Sequence, residues 1–217
     1  MPVVSIDDAP VPSRAERKRA AILQAASDVF LANGYVGASM DDVAARAGVS
    51  KQTLYKHFGD KETLFHELVI TTVVTADAAR GDEPIVLGDD VEADLRRFAR
   101  HLLHGVMQPH VLQLRRVVIA EATRFPRLGR EFHDVGLGKT VARLALTIGD
   151  LQARGVVDVA DPELAAQHLN WLVLSIPLNR AMLLGDDHGV TAEELDRYAD
   201  AGVAAFLRAY APPVRSG

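Results

Sequence analysis

The sequence predicts an all-α protein, a three-helix helix-turn-helix unit followed by a larger helical domain, and three observations carry that prediction. Apolar residues recur at spacings of three and four along most of the chain, as they do on one face of a helix. Start and stop signals bracket those segments: Ser39, Ser50, Asp161 and Thr191 at beginnings, Asn33-Gly34 and Gly48 at ends. No segment alternates apolar and polar residues convincingly, so no strand is expected. With 217 residues, 48% apolar and 24% charged, the chain can bury a substantial core in one large domain or in a small one joined to a larger.

Residues 1–12 lack periodicity and hold three Pro, which predicts a disordered tail. A first helix is expected over 14–32, with Ile22, Leu23, Ala26, Val29 and Phe30 on its inner face, and Asn33-Gly34 ends it. Ser39 with Asp42 three residues on predicts a short helix over 40–47, whose apolar face is Val43, Ala44 and Ala47. Gly48 stops it, and Ser50 caps a second short helix over 51–57. A fourth helix follows Gly59-Asp60, turning Leu64, Phe65, Leu68 and Val69 inward; the β-branched run 71–75 extends it, because no partner strand is nearby. Residues 80–90, RGDEPIVLGDD, read as a linker, dividing the chain into domains at 13–79 and 80–217. Beyond it helices are expected at 91–107, 109–124, 127–154, 162–184 and 191–210, with Pro109, Pro126 and Pro162 in first turns, where a missing N–H costs little.

The spacing of Ala44, Gly48 and Leu54 is that of a helix-turn-helix: a small residue where helices cross, a residue free to adopt positive φ, and a large apolar anchor. With Leu54 inward, a rotation of about 100° per residue turns Gln52 and Lys56 outward, with Thr53 and Tyr55 on the flanks. Gln can bond adenine bidentately, Lys can reach guanine or phosphate, and the Thr methyl can touch thymine. Lys51, Tyr55, His57 and Lys61 are placed for phosphates, as is Ser39 at a helix start, although Asp41 and Asp42 there oppose an anion. The segment 13–20, SRAERKRA, is either an arm reaching DNA or a solvated helix start. Charge is divided in the same sense. Residues 14–61 hold eight Lys and Arg against five Asp and Glu, a net of +3, which leaves −8 for the rest of a chain whose total is −5.

Several functions are excluded or disfavoured. The chain has no Cys, so disulfides, thiolate metal sites and cysteine nucleophiles are out. The start MPVVSIDDAPVPS lacks the pattern of an export signal, and LNWLVLSIPL at 169–178 is about half the roughly 20 residues that span a bilayer. A cytoplasmic location and no membrane contact are expected. GLGKT at 136–140 lacks the first Gly of a phosphate-binding loop, His133 standing in its place, and no strand precedes it. His101, His104 and His168 with Glu121 are a weak metal constellation, so no metal or cofactor is assigned. No catalytic residue is assigned either, and an enzyme is not expected.

The run GYVGASMDDVAARAGVSKQTLYKHFGDKETLF, with ILQAASDVFLANG before it, resembles the N-terminal domain of the tetracycline-repressor (TetR) family of bacterial transcription regulators. The resemblance covers about residues 14–70, and EATRFPRLGREFHD at 121–134 resembles the C-terminal domain of AefR-like members. It implies a homodimer that binds a double-stranded, near-palindromic DNA operator, and a larger domain that dimerises and takes a small-molecule effector. The apolar surface of the last two helices, Trp171, Leu172, Leu174, Ile176, Leu178, Leu183, Leu195, Val203, Phe206 and Leu207, is assigned to a dimerising four-helix bundle. His104, Met107, Asn170 and Trp171 are the candidate pocket residues, mixing apolar bulk with polar groups. The alternative is a helical binding protein or enzyme whose N-terminal unit is only scaffold; it predicts DNA binding that is negligible and insensitive to salt.

Overall fold

The computed structural model describes residues 13–78, 85 and 87–213, and among these no strand occurs. The expected tail at 1–12 and residues 79–84 and 86 lie outside the described residues. The described residues form ten α-helices in order: α1 Arg14–Gly37, α2 Met40–Ala47, α3 Lys51–Phe58, α4 Lys61–Ala78, α5 Val91–Val106, α6 Pro109–Glu121, α7 Pro126–His133, α8 Lys139–Ala153, α9 Pro162–Leu184 and α10 Ala192–Ala209. The chain divides into two compact units, Met1–Leu68 and Val69–Gly217, so the division falls within α4. The sequence placed its boundary ten or so residues later, at 79/80.

In the first unit α1 starts on a capping box, Ser13 accepting from the Glu16 N–H while the Glu16 carboxylate accepts from the Ser13 N–H at 2.7 Å. It buries Ile22, Leu23, Ala26, Val29 and Phe30, the expected face. Helical geometry breaks at Gly34, whose φ of 66° and ψ of 176° admit a glycine readily, and a last turn carries the chain to Gly37. That break brings Tyr35 inward. Its ring lies 6.0 Å from Phe30 and 5.0 Å from Phe65, with Phe30 and Phe65 themselves 4.8 Å apart, an aromatic core that ties α1 to α4.

The second unit is built on α5, α8, α9 and α10, with Leu95, Leu103, Leu144, Ile148, Leu151 and Phe206 fully buried among them. Asp161 caps α9 by accepting from the Glu163 and Leu164 N–H groups, and Thr191 with Glu194 forms a capping box at α10, as both sequence signals predicted. The α9–α10 crossing is close because Gly202 has no side chain: a Cβ there would lie 3.0 Å from the Leu172 backbone carbonyl. Across α5 and α10 the Arg100 guanidinium pairs with Asp200 and His104 bonds Asp196. The end of the expected linker is tied down, with the Arg154 guanidinium donating to the Leu87 carbonyl at 3.3 Å.

Two expectations need correction. The single helix expected at 127–154 is α7 and α8 joined through a π-helical stretch, Asp134–Gly138, where the repeat widens by a residue. Of the apolar residues assigned to a dimer bundle, Leu174, Leu178, Leu195, Val203 and Phe206 instead fill this unit's own core, because α9 and α10 pack on each other. Trp171, Leu172, Ile176 and Leu183 do face outward, at 42%, 43%, 58% and 78% exposure.

Candidate nucleic-acid interface and interior cavity

Helices α2 and α3 have eight residues each, too short to persist alone, so their geometry comes from caps, a turn and packing. The Ser39 hydroxyl caps α2, accepting the Asp42 N–H at 3.1 Å. Gly48 ends it at φ 65° and ψ 32°, and the Val49 N–H then bonds back to the Ala44 carbonyl at 3.0 Å. Ser50 starts α3 at once by accepting the Thr53 N–H at 3.2 Å. Val43, Ala44, Leu54 and Phe58 are buried, and α2 packs against α1, where an Arg46–Asp28 ion pair at 2.7 Å joins the two. The result is a helix-turn-helix with α3 pinned from beneath.

On the outer side Lys51, Gln52, Tyr55, Lys56 and His57 are exposed, Tyr55 by 47%. Thr53 is half-buried, its hydroxyl 2.9 Å from that of Ser50, so only its flank is presented. Among the described residues Lys56 makes no ion pair, which leaves its ammonium available. Lys51 is engaged: it donates to Asp41 at 2.5 Å, and that bond pushes its pKa above the ordinary lysine value. Ser39 is engaged too, its hydroxyl donating to the Asp42 carboxylate at 2.5 Å.

Lys61 departs from its expected place at phosphate. Its Nζ donates to the Ala38 carbonyl at 2.7 Å and the Val36 carbonyl at 3.3 Å, and sits 4.6 Å from the Tyr35 ring centroid. A lysine ammonium has three donors, and two are occupied holding the end of α1 to the start of α4. The row that remains outward, Gln52, Tyr55 and Lys56 flanked by Thr53 and His57, combines a bidentate amide, a phenol and a cation. Those are the groups that read base edges and phosphates in a major groove.

The second unit holds a cavity of about 60 Å³. Asn170 and Trp171, two of the four expected pocket residues, line it. His104 and Met107 do not: the His104 ring is held by Asp196 at 2.8 Å, and Met107 is buried in the core. The cavity's main cation, Arg115, was missed by the sequence reading, along with Phe132. The signal was there in the helical spacing, since Arg115 stands four residues after Val111 and three before Val118, both buried. GLGKT lies partly in the π-helical stretch and partly in α8, not in a strand-to-helix loop. Among the described residues no group of three or more His, Asp or Glu could hold a metal, and His168 bonds the Tyr210 hydroxyl at 2.6 Å. No helix among them is long and apolar enough to cross a membrane.

Comparison with known proteins agrees with this geometry. Residues 22–68 match the family of bacterial regulatory proteins of the tetR family, and residues 93–212 match the AefR-like transcriptional repressor, C-terminal domain. A TetR-family transcriptional regulator from Mesorhizobium loti MAFF303099 is 40% identical, covering 93% of this chain and all of its own, at a TM-score of 0.81. The flavonoid-responsive regulator FrrA is 34% identical over 91% of this chain and 99% of its own, at a TM-score of 0.74. The HTH-type transcriptional activator FasR of Mycolicibacterium smegmatis is 50% identical, but over 50 residues that make up only 23% of each chain. A helix-turn-helix with an outward polar row, an all-helical second unit and family matches across both place the chain in the TetR family of DNA-binding transcriptional regulators, with an AefR-like C-terminal domain.

Proposed function

We propose that the protein is a homodimeric, cytoplasmic repressor that holds a near-palindromic operator and leaves it when a small molecule enters the second unit. The observation that carries this reading is α3 itself: an eight-residue helix fixed by buried Leu54 and Phe58, presenting Gln52, Tyr55 and Lys56 to the outside. Gln52 reads a base edge, Lys56 a base or phosphate, the Thr53 methyl a thymine, and Tyr55 and His57 the backbone; Lys51 joins them once it exchanges Asp41 for phosphate. One such helix makes too few base contacts, so two copies set about 34–36 Å apart meet successive major grooves. The exposed Leu172, Ile176 and Leu183 on α9 supply the apolar surface for that pairing.

Repression is supported by the match to the C-terminal domain of AefR-like repressors, and control by a small molecule by the similarity to FrrA, a flavonoid-responsive regulator. An effector that favours a wrongly spaced dimer weakens operator binding by a coupling of roughly 1–3 kcal/mol, about 5- to 150-fold. The test is a gel shift with the DNA upstream of the protein's own gene, repeated with Gln52→Ala and Tyr55→Ala and with a reporter on the same promoter. Loss of the shift in both variants and a reporter that rises when the gene is deleted are expected. Undiminished binding by both variants removes α3 as the reading helix; a reporter that falls on deletion makes the protein an activator.

A further inference from the structure

The cavity of the second unit is walled mainly by apolar side chains, among them Leu102, Val106, Val111 and Leu174, yet it contains polar groups with no hydrogen-bond partner among the described residues. Asn170 is 1% exposed, and neither its amide oxygen nor its amide nitrogen has a hydrogen-bond partner among the described residues. A buried amide calls for a partner, since leaving one unsatisfied costs on the order of 1–3 kcal/mol. Arg115 is the second such group. Its Nε is buried with no partner among the described residues, its guanidinium carbon lies 5.3 Å from the Phe132 ring centroid, and burial pushes its pKa below the ordinary arginine value. Among the described residues no Asp or Glu lines the cavity to balance the charge.

Water would satisfy Asn170, but only an anion both satisfies the donors and balances Arg115. We propose that the cavity binds a small organic carboxylate, its oxygens accepting from the Arg115 guanidinium and the Asn170 amide, its apolar body lying among Leu102, Val106, Val111 and Leu174. The guanidinium fork matches a carboxylate bidentately, which a neutral amide of the same shape does not reproduce. A cavity of about 60 Å³ has room for several water-sized spheres, enough to admit a small acid. The assignment rests on reading this cavity as the effector site.

Trp171 lines the cavity and is the only tryptophan in the sequence, so its fluorescence reports occupancy directly. The full chain is titrated with matched pairs: 3-methylbutanoate and 3-methylbutanamide, hexanoate and hexanamide, and, by calorimetry, benzoate and benzamide. At least one acid is expected to bind about tenfold or more tighter than its amide, with the preference lost in Arg115→Gln, reduced in Arg115→Lys and weakened in Asn170→Leu. Circular dichroism checks that each variant folds; if Arg115→Gln does not, the acid-to-amide ratio in the wild type and in Arg115→Lys decides. The proposal is overturned if no acid outbinds its amide, whether both bind alike or neither binds, or if Arg115→Gln keeps the preference. A gel shift run alongside separates this from the functional reading. An acid bound through Arg115 that leaves the DNA complex intact supports the ligand class and removes its effector role, whereas operator binding with no acid preference leaves the DNA reading standing and this proposal refuted.

Discussion

Replacing Leu54 by Ala tests whether α3 is held by its anchor. Leu54 is fully buried, and the change deletes three heavy atoms from a packed interior. At about 0.8 kcal/mol per buried methylene the transfer loss is roughly 2.4 kcal/mol, and Leu→Ala changes in packed interiors, which also leave a cavity, cost about 2–5 kcal/mol in all. Beyond the Ser50 cap and buried Phe58, helix α3 has little to absorb that loss, since eight residues do not hold a helix on propensity. Amide hydrogen exchange resolved by peptide confines the readout to residues 40–58. At 1.36 kcal/mol per decade the expected acceleration there is about thirtyfold or more. Gln52→Ala is the control: its side chain faces out, so exchange should stay within about threefold, a stability change under roughly 0.5 kcal/mol, while DNA affinity falls. An acceleration below about fivefold for Leu54→Ala, under 1 kcal/mol, would mean that α3 is positioned by something other than its buried face.

Four further outcomes are expected. Gly48→Ala meets no atom within 4 Å of the new Cβ, so its cost is conformational alone, about 1–2 kcal/mol for a left-handed residue, and Gly48→Asn costs less by urea unfolding. Lys61→Met, by releasing the α1 carbonyls, lowers the urea midpoint of the first unit but leaves the salt dependence of DNA binding unchanged, whereas Lys56→Met reduces the slope of log affinity against log salt by about 1. Asp60 accepts the Thr63 N–H at 2.7 Å, chiefly that bond holding its carboxyl below the ordinary 3.8. Its folded pKa being depressed, its contribution is complete above pH 3.8 and fades as pH falls through the folded value, so the difference in urea midpoint between wild type and Asp60→Ala should shrink below pH 3.8. Ile176→Glu with Leu183→Glu on the exposed stripe of α9 should shift sedimentation from dimer to monomer and abolish operator binding while each chain stays folded.

What the sequence made legible was local. The start of α2 and both ends of the turn were readable because Ser39, Gly48 and Ser50 act within three or four residues of themselves, and the outward row followed from the placement of Leu54 alone. What depended on distant partners was not readable. Lys61 was assigned to phosphate with the residues of α3, but its carbonyl partners lie 23 and 25 residues earlier in the chain. His104 looked like a pocket residue because it is polar on an apolar helix, and its partner Asp196 is 92 residues away. The π-helical stretch at Asp134–Gly138 escaped because widening a helix by one residue leaves no cap or breaker to see. Asn170 was found for the opposite reason: a polar side chain inside an apolar run is conspicuous wherever its partners lie.

The DNA-binding unit also spends part of its charge internally, and that bears on the proposed pairing of two copies. Of its cations, Arg19 is paired with Glu67, Arg46 with Asp28 and Lys51 with Asp41, while Lys61 is bonded to carbonyls. The net of +3 over residues 14–61 therefore overstates what meets phosphate. Exposed pairs of this kind are weak, so the Lys51–Asp41 bond opens readily, but opening it leaves Asp41 facing the same phosphate beside Asp42. Each α3 thus brings a good reading surface and a modest electrostatic one. On the proposed dimeric reading, affinity at physiological salt comes from two such surfaces held together; binding is then steeply dependent on the spacing between copies, and that dependence would give a small ligand in the second unit leverage over DNA it never touches.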